Sequence, residues 1–240
     1  MGKSKDLATR VGIDDNADAT AITITSQENV GIGTASPSNY GAAYTSLGVS
    51  GSSASAIEGF VGSNLVGYLQ AYNTAVLVGS KTNVPLKLVT NDTIQMTIDG
   101  SGRVTKPQQP SFAAYVQNNH TGYDANSVGN AYVNYDAELY DTGNNHSAGI
   151  FTAPVAGVYY FRAEAYTNNY CTQSWFIVNG SRTNASDAVY TGNDSFSGNS
   201  TILKLAANDT VGFHPYRAGY NSITVNANAN HSWFRGMLIG

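Results

Sequence analysis

Residues 151–161 read Phe-Thr-Ala-Pro-Val-Ala-Gly-Val-Tyr-Tyr-Phe, and this stretch decides the fold of the C-terminal half of the chain. Residues 154–157 predict a turn, because proline and glycine favour turn geometry. The alternation over residues 158–165 predicts a strand that is buried on one face. We therefore expect aspartate in place of Val158 or Phe161 to abolish folding, since a buried carboxylate is costly. Four large side chains are expected to supply apolar surface: Phe151, Val155, Tyr159 and Phe161.

This spacing resembles the signature of the complement-type globular heads, the trimeric ten-stranded jelly rolls related to tumour necrosis factor. Residues 110–116, Pro-Ser-Phe-Ala-Ala-Tyr-Val, resemble the first strand of that family. Residues 203–211, Leu-Lys-Leu-Ala-Ala-Asn-Asp-Thr-Val, resemble its Leu-x-Leu-x-x-Gly-Asp-x-Val strand and turn, and residues 234–238, Phe-Arg-Gly-Met-Leu, resemble its closing strand. The resemblance covers about residues 110–240 and implies an all-β jelly-roll head in a homotrimer.

One residue departs from the family pattern at the turn that follows residues 203–205. Asn208 stands where the family has glycine. Asparagine tolerates the left-handed backbone conformation better than most residues, so we expect the turn to form.

The composition excludes several classes of partner. Charged residues make up 12% of the 240 residues, against about 25% in a typical globular protein. The net charge is −4, and no basic stripe or cluster is present that would neutralise nucleic-acid phosphates or anionic lipids. Residues 1–10 lack the apolar core of a signal peptide, and no transmembrane run occurs. We expect no nucleic-acid partner, no membrane insertion and no secretion.

The N-terminal residues predict an anchoring arm. Residues 1–19 are polar and of mixed charge, without the period of a helix or a strand. Residues 3–8, Lys-Ser-Lys-Asp-Leu-Ala, resemble the start peptides of marine phage structural proteins, which implies docking onto other virion proteins of the tail or the capsid. The candidate anchoring residues are Lys3, Lys5, Asp6, Leu7 and Arg10.

Residues 20–107 predict a β-rich shaft module of short segments. Residues 21–25 alternate as a strand, residues 65–78 and 86–98 predict two hairpins, and residues 99–102, Asp-Gly-Ser-Gly, predict the turn that closes the second. Strands this short bury little surface in one copy. We therefore expect three copies to wind together.

Two strings in this region resemble the β-rich shaft modules of bacteriophage tail fibres and related virion proteins. They are residues 29–37, Asn-Val-Gly-Ile-Gly-Thr-Ala-Ser-Pro, and residues 96–104, Met-Thr-Ile-Asp-Gly-Ser-Gly-Arg-Val. Residues 103–110 carry two prolines and predict an extended linker. The predicted domains are the arm, the shaft module and a head over residues 108–240.

No catalytic arrangement is expected. Asp136 and Glu138 alternate along one predicted strand and are the best carboxylate pair for glycan hydrolysis, which needs two carboxylates about 5–9 Å apart. The simpler interpretation is a solvated strand face. Cys171 lacks a catalytic context and is interpreted as a small strand residue. We predict that the protein is not an enzyme.

No cofactor or metal is expected either. The four histidines lack the spacing of a metal site. A three-fold axis could still gather three copies of His120 or His146, both in predicted Asn- and Gly-rich loops.

The many tyrosines of the predicted head are the remaining signal for binding. Tyrosine combines a large rigid ring with a polar tip and suits interfaces and stacking on glycans. Most of these tyrosines are expected in the core or at the trimer axis, whereas those in loops are candidates for contact with a surface ligand, together with neighbouring polar residues. The candidate binding residues are Tyr123, Tyr190, Asn193, Asp194, Tyr216, Arg217, Tyr220 and Asn221.

These observations predict a virion protein at the particle surface, made in the host cytoplasm. The first hypothesis is a trimeric short tail fibre or spike whose head recognises a host glycan or protein. The second is a capsid decoration protein, which the shortness of residues 20–107 favours. A glycan-degrading tailspike and a non-viral protein with a complement-type head are more distant alternatives.

Overall fold

The computed structural model divides into two compact units, Met1–Thr105 and Lys106–Gly240. All regular secondary structure in its described residues is β-strand, which confirms the all-β prediction. The described residues are 22–24, 30–32, 47–127, 131–169, 171–183, 195–228 and 230–240.

The N-terminal unit contains three small sheets, each of three strands. Neighbouring strands in these sheets are antiparallel except β2 and β3, which are parallel. Its strands are β1 (Ile22–Ile24), β2 (Val30–Ile32), β3 (Leu47–Val49), β4 (Ala54–Val61), β5 (Asn64–Tyr72), β6 (Val76–Ser80), β7 (Leu86–Thr90), β8 (Thr93–Ile98) and β9 (Val104–Thr105).

Both predicted hairpins are confirmed. The amide of Tyr72 donates to the carbonyl of Ala75 (2.8 Å) in the turn between β5 and β6. Asn91 and Asp92 form the turn between β7 and β8 with φ of 48° and 54°, in the left-handed region that tight hairpin turns require.

The turn after β8 is also confirmed, but its continuation was predicted wrongly. Asp99 organises the turn, since its Oδ1 accepts the amides of Ser101 (2.9 Å) and Arg103 (3.0 Å) and its Oδ2 accepts Arg103 Nε (2.7 Å). Val104 and Thr105 then pair with β8 as strand β9 instead of starting the linker. The turn reverses the chain and brings these residues back alongside β8.

The N-terminal unit has no buried core among its described residues. No side chain over residues 47–108 is classed as buried, and many large apolar residues are exposed. Isolated sheets of two or three strands need a packed apolar face for stability. The exposed apolar side chains of this unit include Ile57, Phe60, Val61, Val76, Val78, Leu88 and Val89.

The C-terminal unit is a sandwich of two sheets. The larger sheet has the order β11-β20-β15-β21-β10-β12, with β18 also paired to β15, and the smaller has the order β13-β14-β19-β16-β17. The strands are β10 (Ser111–Tyr115), β11 (His120–Tyr123), β12 (Ala137–Thr142), β13 (His146–Ser147), β14 (Ile150–Thr152), β15 (Gly157–Thr167), β16 (Gln173–Val178), β17 (Ser181–Arg182), β18 (Ser195–Leu205), β19 (Thr210–Tyr216), β20 (Ile223–Val225) and β21 (Trp233–Leu238). The described residues of this unit form twelve strands where the resemblance implied ten, and β13 and β17 are only two residues long.

Strand β15 alternates between the core and the outer face of the larger sheet. Tyr159 and Phe161 are fully buried in the core, as predicted. Val158 lies on the opposite face and is only half-buried, so the expectation that Val158→Asp places a carboxylate in the core was wrong. Val155 is exposed in the preceding turn and adds nothing to the core, again unlike the prediction.

The centre of the core is a cluster of aromatic rings. The ring centroid of Phe112 lies 5.1 Å from that of Phe151 and 4.8 Å from that of Phe234, and the rings of Phe151 and Phe161 are 5.4 Å apart. Gly236 leaves room for two of these rings, because a Cβ at this position would lie 2.5 Å from Phe161 and 2.7 Å from Phe112. The close packing makes this cluster sensitive to any change of volume.

The turn between β18 and β19 is confirmed as a left-handed turn. Asn208 has φ of 71°, and its amide donates to the carbonyl of Ala153 (2.7 Å). Asp209 fastens the same turn, since its Oδ2 accepts the amide of Ala206 and its Oδ1 accepts Asn179 Nδ2, both at 2.7 Å.

We expect Asn208→Gly to leave the free energy of unfolding nearly unchanged and Asn208→Val to lower it by about 1–2 kcal/mol. The left-handed conformation costs a β-branched residue about this much and costs glycine nothing. Thermal unfolding of the two variants beside the parent protein measures the difference. Equal losses in both variants would show that the asparagine side chain, and not its backbone conformation, supports the turn.

Candidate functional site

Several predicted functional residues lie outside the described residues. These are the anchoring candidates Lys3, Lys5, Asp6, Leu7 and Arg10 and the binding candidates Tyr190, Asn193 and Asp194.

Tyr123 is not a surface tyrosine, so its prediction as an accessible loop residue was wrong. It ends strand β11 and is 2% exposed. Its hydroxyl contacts Nδ1 of His214 and donates to the carbonyl of Pro215 (3.4 Å). Burial raises the pKa of Tyr123 well above its ordinary value. The strand carries this side chain between the sheets, where it is part of the core.

The turn after β19 holds three further candidates, and only two of them are exposed. Arg217 is 7% exposed, so it is not the surface partner that was predicted. Its Cζ lies 3.4 Å from the ring centroid of Tyr220, and its Nη1 donates to Asn169 Oδ1 (3.3 Å). Tyr220 and Asn221 are exposed, as expected of surface residues. Arg217 ties the turn to the loop after β15, and Tyr220 covers it.

Tyr216 belongs to a polar and aromatic cluster on the outer face of the smaller sheet. We name this cluster the Arg182 platform; it consists of Gln173, Trp175, Arg182 and Tyr216. The Cζ of Arg182 lies 3.4 Å from the ring centroid of Trp175 and 5.1 Å from that of Tyr216. The centroids of Trp175 and Tyr216 are 4.8 Å apart.

The strand register explains how four residues distant in sequence come together. Gln173 lies directly opposite Tyr216 across the β16–β19 pair, and two residues further along β16 Trp175 lies opposite His214. Directly opposite residues of an antiparallel pair point to the same face of the sheet. Arg182 lies on the neighbouring strand β17, opposite Ile177, and its long side chain reaches back over Trp175.

His214 lies beside Trp175 on the same face of the sheet and supports the platform from the side. Its ring stacks on Trp175 with centroids 5.9 Å apart and planes 14° apart, and its Nδ1 donates to the carbonyl of Ala131 (2.8 Å). Its Nε2 is buried and has no hydrogen-bond partner among the described residues. Burial lowers the pKa of His214 to about 4, and the nearby charge of Arg182 acts in the same direction. The imidazole is therefore neutral in the folded protein at pH 7.

We expect the fold to lose stability as the pH falls from 6.5 to 4, because unfolding lets His214 take up a proton near pH 6.5 that the native state accepts only near pH 4. Above pH 6.5 the contribution of neutral His214 to the free energy of unfolding is fully present, and at pH 4 about 3 kcal/mol of it is lost. Denaturant unfolding of the parent protein and of His214→Gln at several pH values measures it. A difference in free energy of unfolding between the two proteins that stays constant with pH would contradict this assignment.

The predicted carboxylate pair is engaged in two separate structural contacts. Asp136 precedes β12 instead of alternating along it, and its carboxylate accepts the amide of Gln117 and Nδ2 of Asn118, both at 2.7 Å. Slight burial raises the pKa of Asp136, but these hydrogen bonds lower it by more, so that it lies below its usual value. Glu138 Oε1 instead accepts Nδ1 of His146 (2.9 Å).

Neither candidate histidine lies in a loop, contrary to the prediction. His120 is in β11, its Nδ1 accepts the amide of Asn134 (3.1 Å), and burial lowers its pKa. His146 is in β13 and is buried against Phe112, with ring centroids 5.0 Å apart. Within the described ranges, no group of three or more His, Cys, Asp or Glu side chains could hold a metal ion.

Cys171 is buried, but it precedes strand β16 instead of lying within a strand as predicted. Its Sγ lies 3.8 Å from Thr167 Oγ1. Burial raises the pKa of the Cys171 thiol to about 11. The reactive thiolate is therefore disfavoured at neutral pH.

The outer face of the larger sheet exposes a second surface, which we name the Ile202 face. Ile202 and Met237 lie on either side of Tyr160 in the strand register, and their exposed fractions are 60% and 46%. Next along the strands, the guanidinium carbons of Arg162 and Arg235 lie 5.4 Å and 4.6 Å from the ring of Trp233. The residues of the Ile202 face are Tyr160, Arg162, Ile202, Trp233, Arg235 and Met237.

The comparisons with known proteins concern the C-terminal unit. A family model described as the C1q domain matches residues 111–239. A solved structure described as the globular domain of a zebrafish complement 1qA protein is 19% identical, with a TM-score of 0.38, and the match covers 55% of this chain and 98% of that chain. A crystal structure of murine APRIL at pH 8.5 is 11% identical, with a TM-score of 0.39, and the match covers 55% of this chain and 99% of that chain.

No curated protein sequence matches this chain. The described ranges contain no helix that is long and apolar enough to cross a membrane.

Proposed function

We propose that this chain, which belongs to the C1q domain family, is a homotrimeric virion protein of a bacteriophage, a short tail fibre or spike at the particle surface. Its N-terminal arm attaches to other virion proteins, and its C-terminal unit is the head that recognises the host surface. The chain is made in the host cytoplasm. The single observation that supports the proposal of a trimer is the Ile202 face.

The Ile202 face supports trimer formation through the head. Domains of this family self-associate into trimers. Ile202 and Met237 are large apolar residues exposed on a flat sheet, and such a patch is typical of an interface with another chain. Because each copy carries the same patch, closed cyclic symmetry covers it in every copy.

The N-terminal unit supports the same assembly. Its described strands expose many apolar side chains and bury none of them. A sheet of three strands without a packed face is not stable by itself. Three intertwined copies supply that missing core, and the unit then acts as the shaft of the trimer.

Attachment to a phage particle rests on the sequence. Residues 29–37 and 96–104 resemble shaft modules of tail fibres, and residues 3–8 resemble start peptides of phage structural proteins. Residues 96–104 include the turn that Asp99 organises between β8 and β9. The resemblance therefore spans a formed structural element of the N-terminal unit.

A capsid decoration protein is the second candidate, and the shortness of the shaft module favours it. The shaft module spans only residues 20–107, too few for a long fibre. In that case the arm grips capsid subunits instead of tail proteins.

A ligand-binding role fits the C-terminal unit better than catalysis. Domains of this family are generally non-enzymatic ligand-binding modules. Asp136 and Glu138 hold structural contacts with different partners, and the thiol of Cys171 is protonated at neutral pH. We propose that the whole protein likewise binds a ligand and is not an enzyme.

Cryo-electron microscopy of the intact particle tests the proposal by locating residues 1–19. Contact with tail adaptor or nozzle proteins is expected for a tail fibre. Contact with capsid subunits would instead identify the protein as a capsid decoration protein. Absence of the protein from purified particles would overturn both.

A further inference from the structure

We infer that the Arg182 platform is a binding site for a saccharide that carries a carboxylate. The inference rests on the proposed function, since it names the chemical class of surface ligand that the head recognises. Four features of the platform carry it: an arginine with no acidic partner among the described residues, two hydrogen-bonding groups on the same sheet face that are unpaired within those residues, a rigid support and a low charge density.

The guanidinium of Arg182 is exposed and has no acidic partner among the described residues. One face of this planar group lies on the ring of Trp175 at 3.4 Å. Stacking on an aromatic ring occupies the face of a guanidinium and leaves the N–H groups at its edge free. Those groups match a carboxylate in bidentate geometry.

Two neutral hydrogen-bonding groups lie on the same face of the sheet as Trp175, over which the arginine stacks. The side-chain amide of Gln173 and the hydroxyl of Tyr216 have no hydrogen-bond partner within the described ranges, and both residues are half-buried. They lie opposite each other on the same face of the sheet as Trp175. An amide and a phenol can both donate to and accept from sugar hydroxyls, and the ring of Tyr216 offers an apolar surface to a sugar ring.

The platform is held rigidly by the smaller sheet. Trp175 and Tyr216 lie on the adjacent strands β16 and β19, and Arg182 lies on β17 at the edge. The ring of His214 stacks against that of Trp175 and is itself anchored on the carbonyl of Ala131. A site on rigid strands loses little conformational freedom when a ligand binds.

The low density of positive charge on the platform favours a saccharide over a polyanion or an acidic peptide. Arg182 is the only cation of the platform, and the chain as a whole carries a net charge of −4. Nucleic acids and polyphosphates require several basic residues in a groove. One guanidinium with an amide, a phenol and an aromatic ring instead fits one carboxylate surrounded by hydroxyl groups.

Isothermal titration of the full-length protein tests the site. The probes are trigalacturonate and α2,8-linked trisialate, each compared with its methyl ester, which keeps the sugar rings and removes the charge. We expect at least one acid to bind and its ester to bind at least tenfold more weakly. Arg182→Lys should weaken binding of the acid tenfold or more, because lysine keeps the charge and loses the bidentate geometry.

The matched control is Arg103→Lys, which changes an exposed arginine of the N-terminal unit that pairs with Asp99 (2.7 Å). Its affinity for the acid should equal that of the parent protein, and thermal unfolding should show that both variants fold. Failure of both acids to bind, equal affinity for acid and ester, or no effect of Arg182→Lys would overturn the inference.

The outcome is separable from that of the proposed function. If the protein is present on purified particles but neither acid binds, the saccharide site is wrong and the virion role stands. If an acid binds through Arg182 but the protein is absent from particles, the virion role is wrong and the site stands.

Discussion

Phe161→Asp is expected to eliminate the folded C-terminal unit. Phe161 is fully buried, and its ring centroid lies 5.4 Å from that of Phe151 and 5.9 Å from that of Phe234. Removing a buried phenylalanine costs about 3–5 kcal/mol. An unpaired buried carboxylate adds several more. Their sum approaches the whole stability of a typical domain, about 5–15 kcal/mol.

The matched control for this substitution is Val158→Asp, in the same strand but on the outer face. Near-ultraviolet circular dichroism of the full-length variants reports the packing of Trp175 and Trp233. We expect the Phe161 variant to lose this signal and the Val158 variant to keep it. Loss in both variants would show that both faces of β15 are essential to folding; retention in both would contradict the placement of Phe161 in the core.

The contrast between these two residues shows what the sequence of β15 could and could not predict. Alternation along residues 158–165 correctly predicted a strand with one buried face. A period of two does not say which set of residues faces inward, because both Val158 and Phe161 are large and apolar. The structure decides this through the partner sheet, whose Phe151 packs against Tyr159 and whose Phe176 packs against Phe161.

Local turn chemistry was the most predictable part of the fold. The turns at Asn91-Asp92 and at Asp99 depend on residues within a few positions of each other, and the left-handed conformation of Asn208 was predictable from the residue type. The strand β9 was missed because Val104 and Thr105 are too few to show a pattern. Their pairing depends on the neighbouring strand β8 and not on their own sequence.

The candidate site was predictable only in part, because its residues meet across strands. The sequence named Tyr216 as a candidate, but it did not name the neighbours Trp175 and Arg182. No local pattern links residues 175, 182 and 216, whose contact requires the register of β16, β17 and β19. The prediction for Tyr123 was wrong because the surrounding Asn- and Gly-containing sequence indicated a loop where the chain forms strand β11.

Ile202→Asp is expected to convert the proposed trimer into monomers while the C-terminal unit stays folded. Ile202 is 60% exposed in one chain and lies beside Tyr160 and Met237 on the Ile202 face. Covering an isoleucine at an interface stabilises it by about 1.5–3 kcal/mol. In a closed trimer the residue occurs three times, so the total loss is about 5 kcal/mol or more before the cost of placing a carboxylate there.

Sedimentation velocity of the full-length parent and variant measures the number of chains in each assembly, which should change from three to one. The matched control is Lys204→Asp, two residues along the same face of β18, where a polar side chain already stands. The control should remain a trimer, or weaken far less, because it removes no exposed apolar surface. A trimeric Ile202→Asp protein would mean that another surface holds the chains together. In that case the apolar side chains of the N-terminal unit, Ile57, Phe60 and Val76 among them, become the stronger candidates for the interface, since they too are exposed in the single chain.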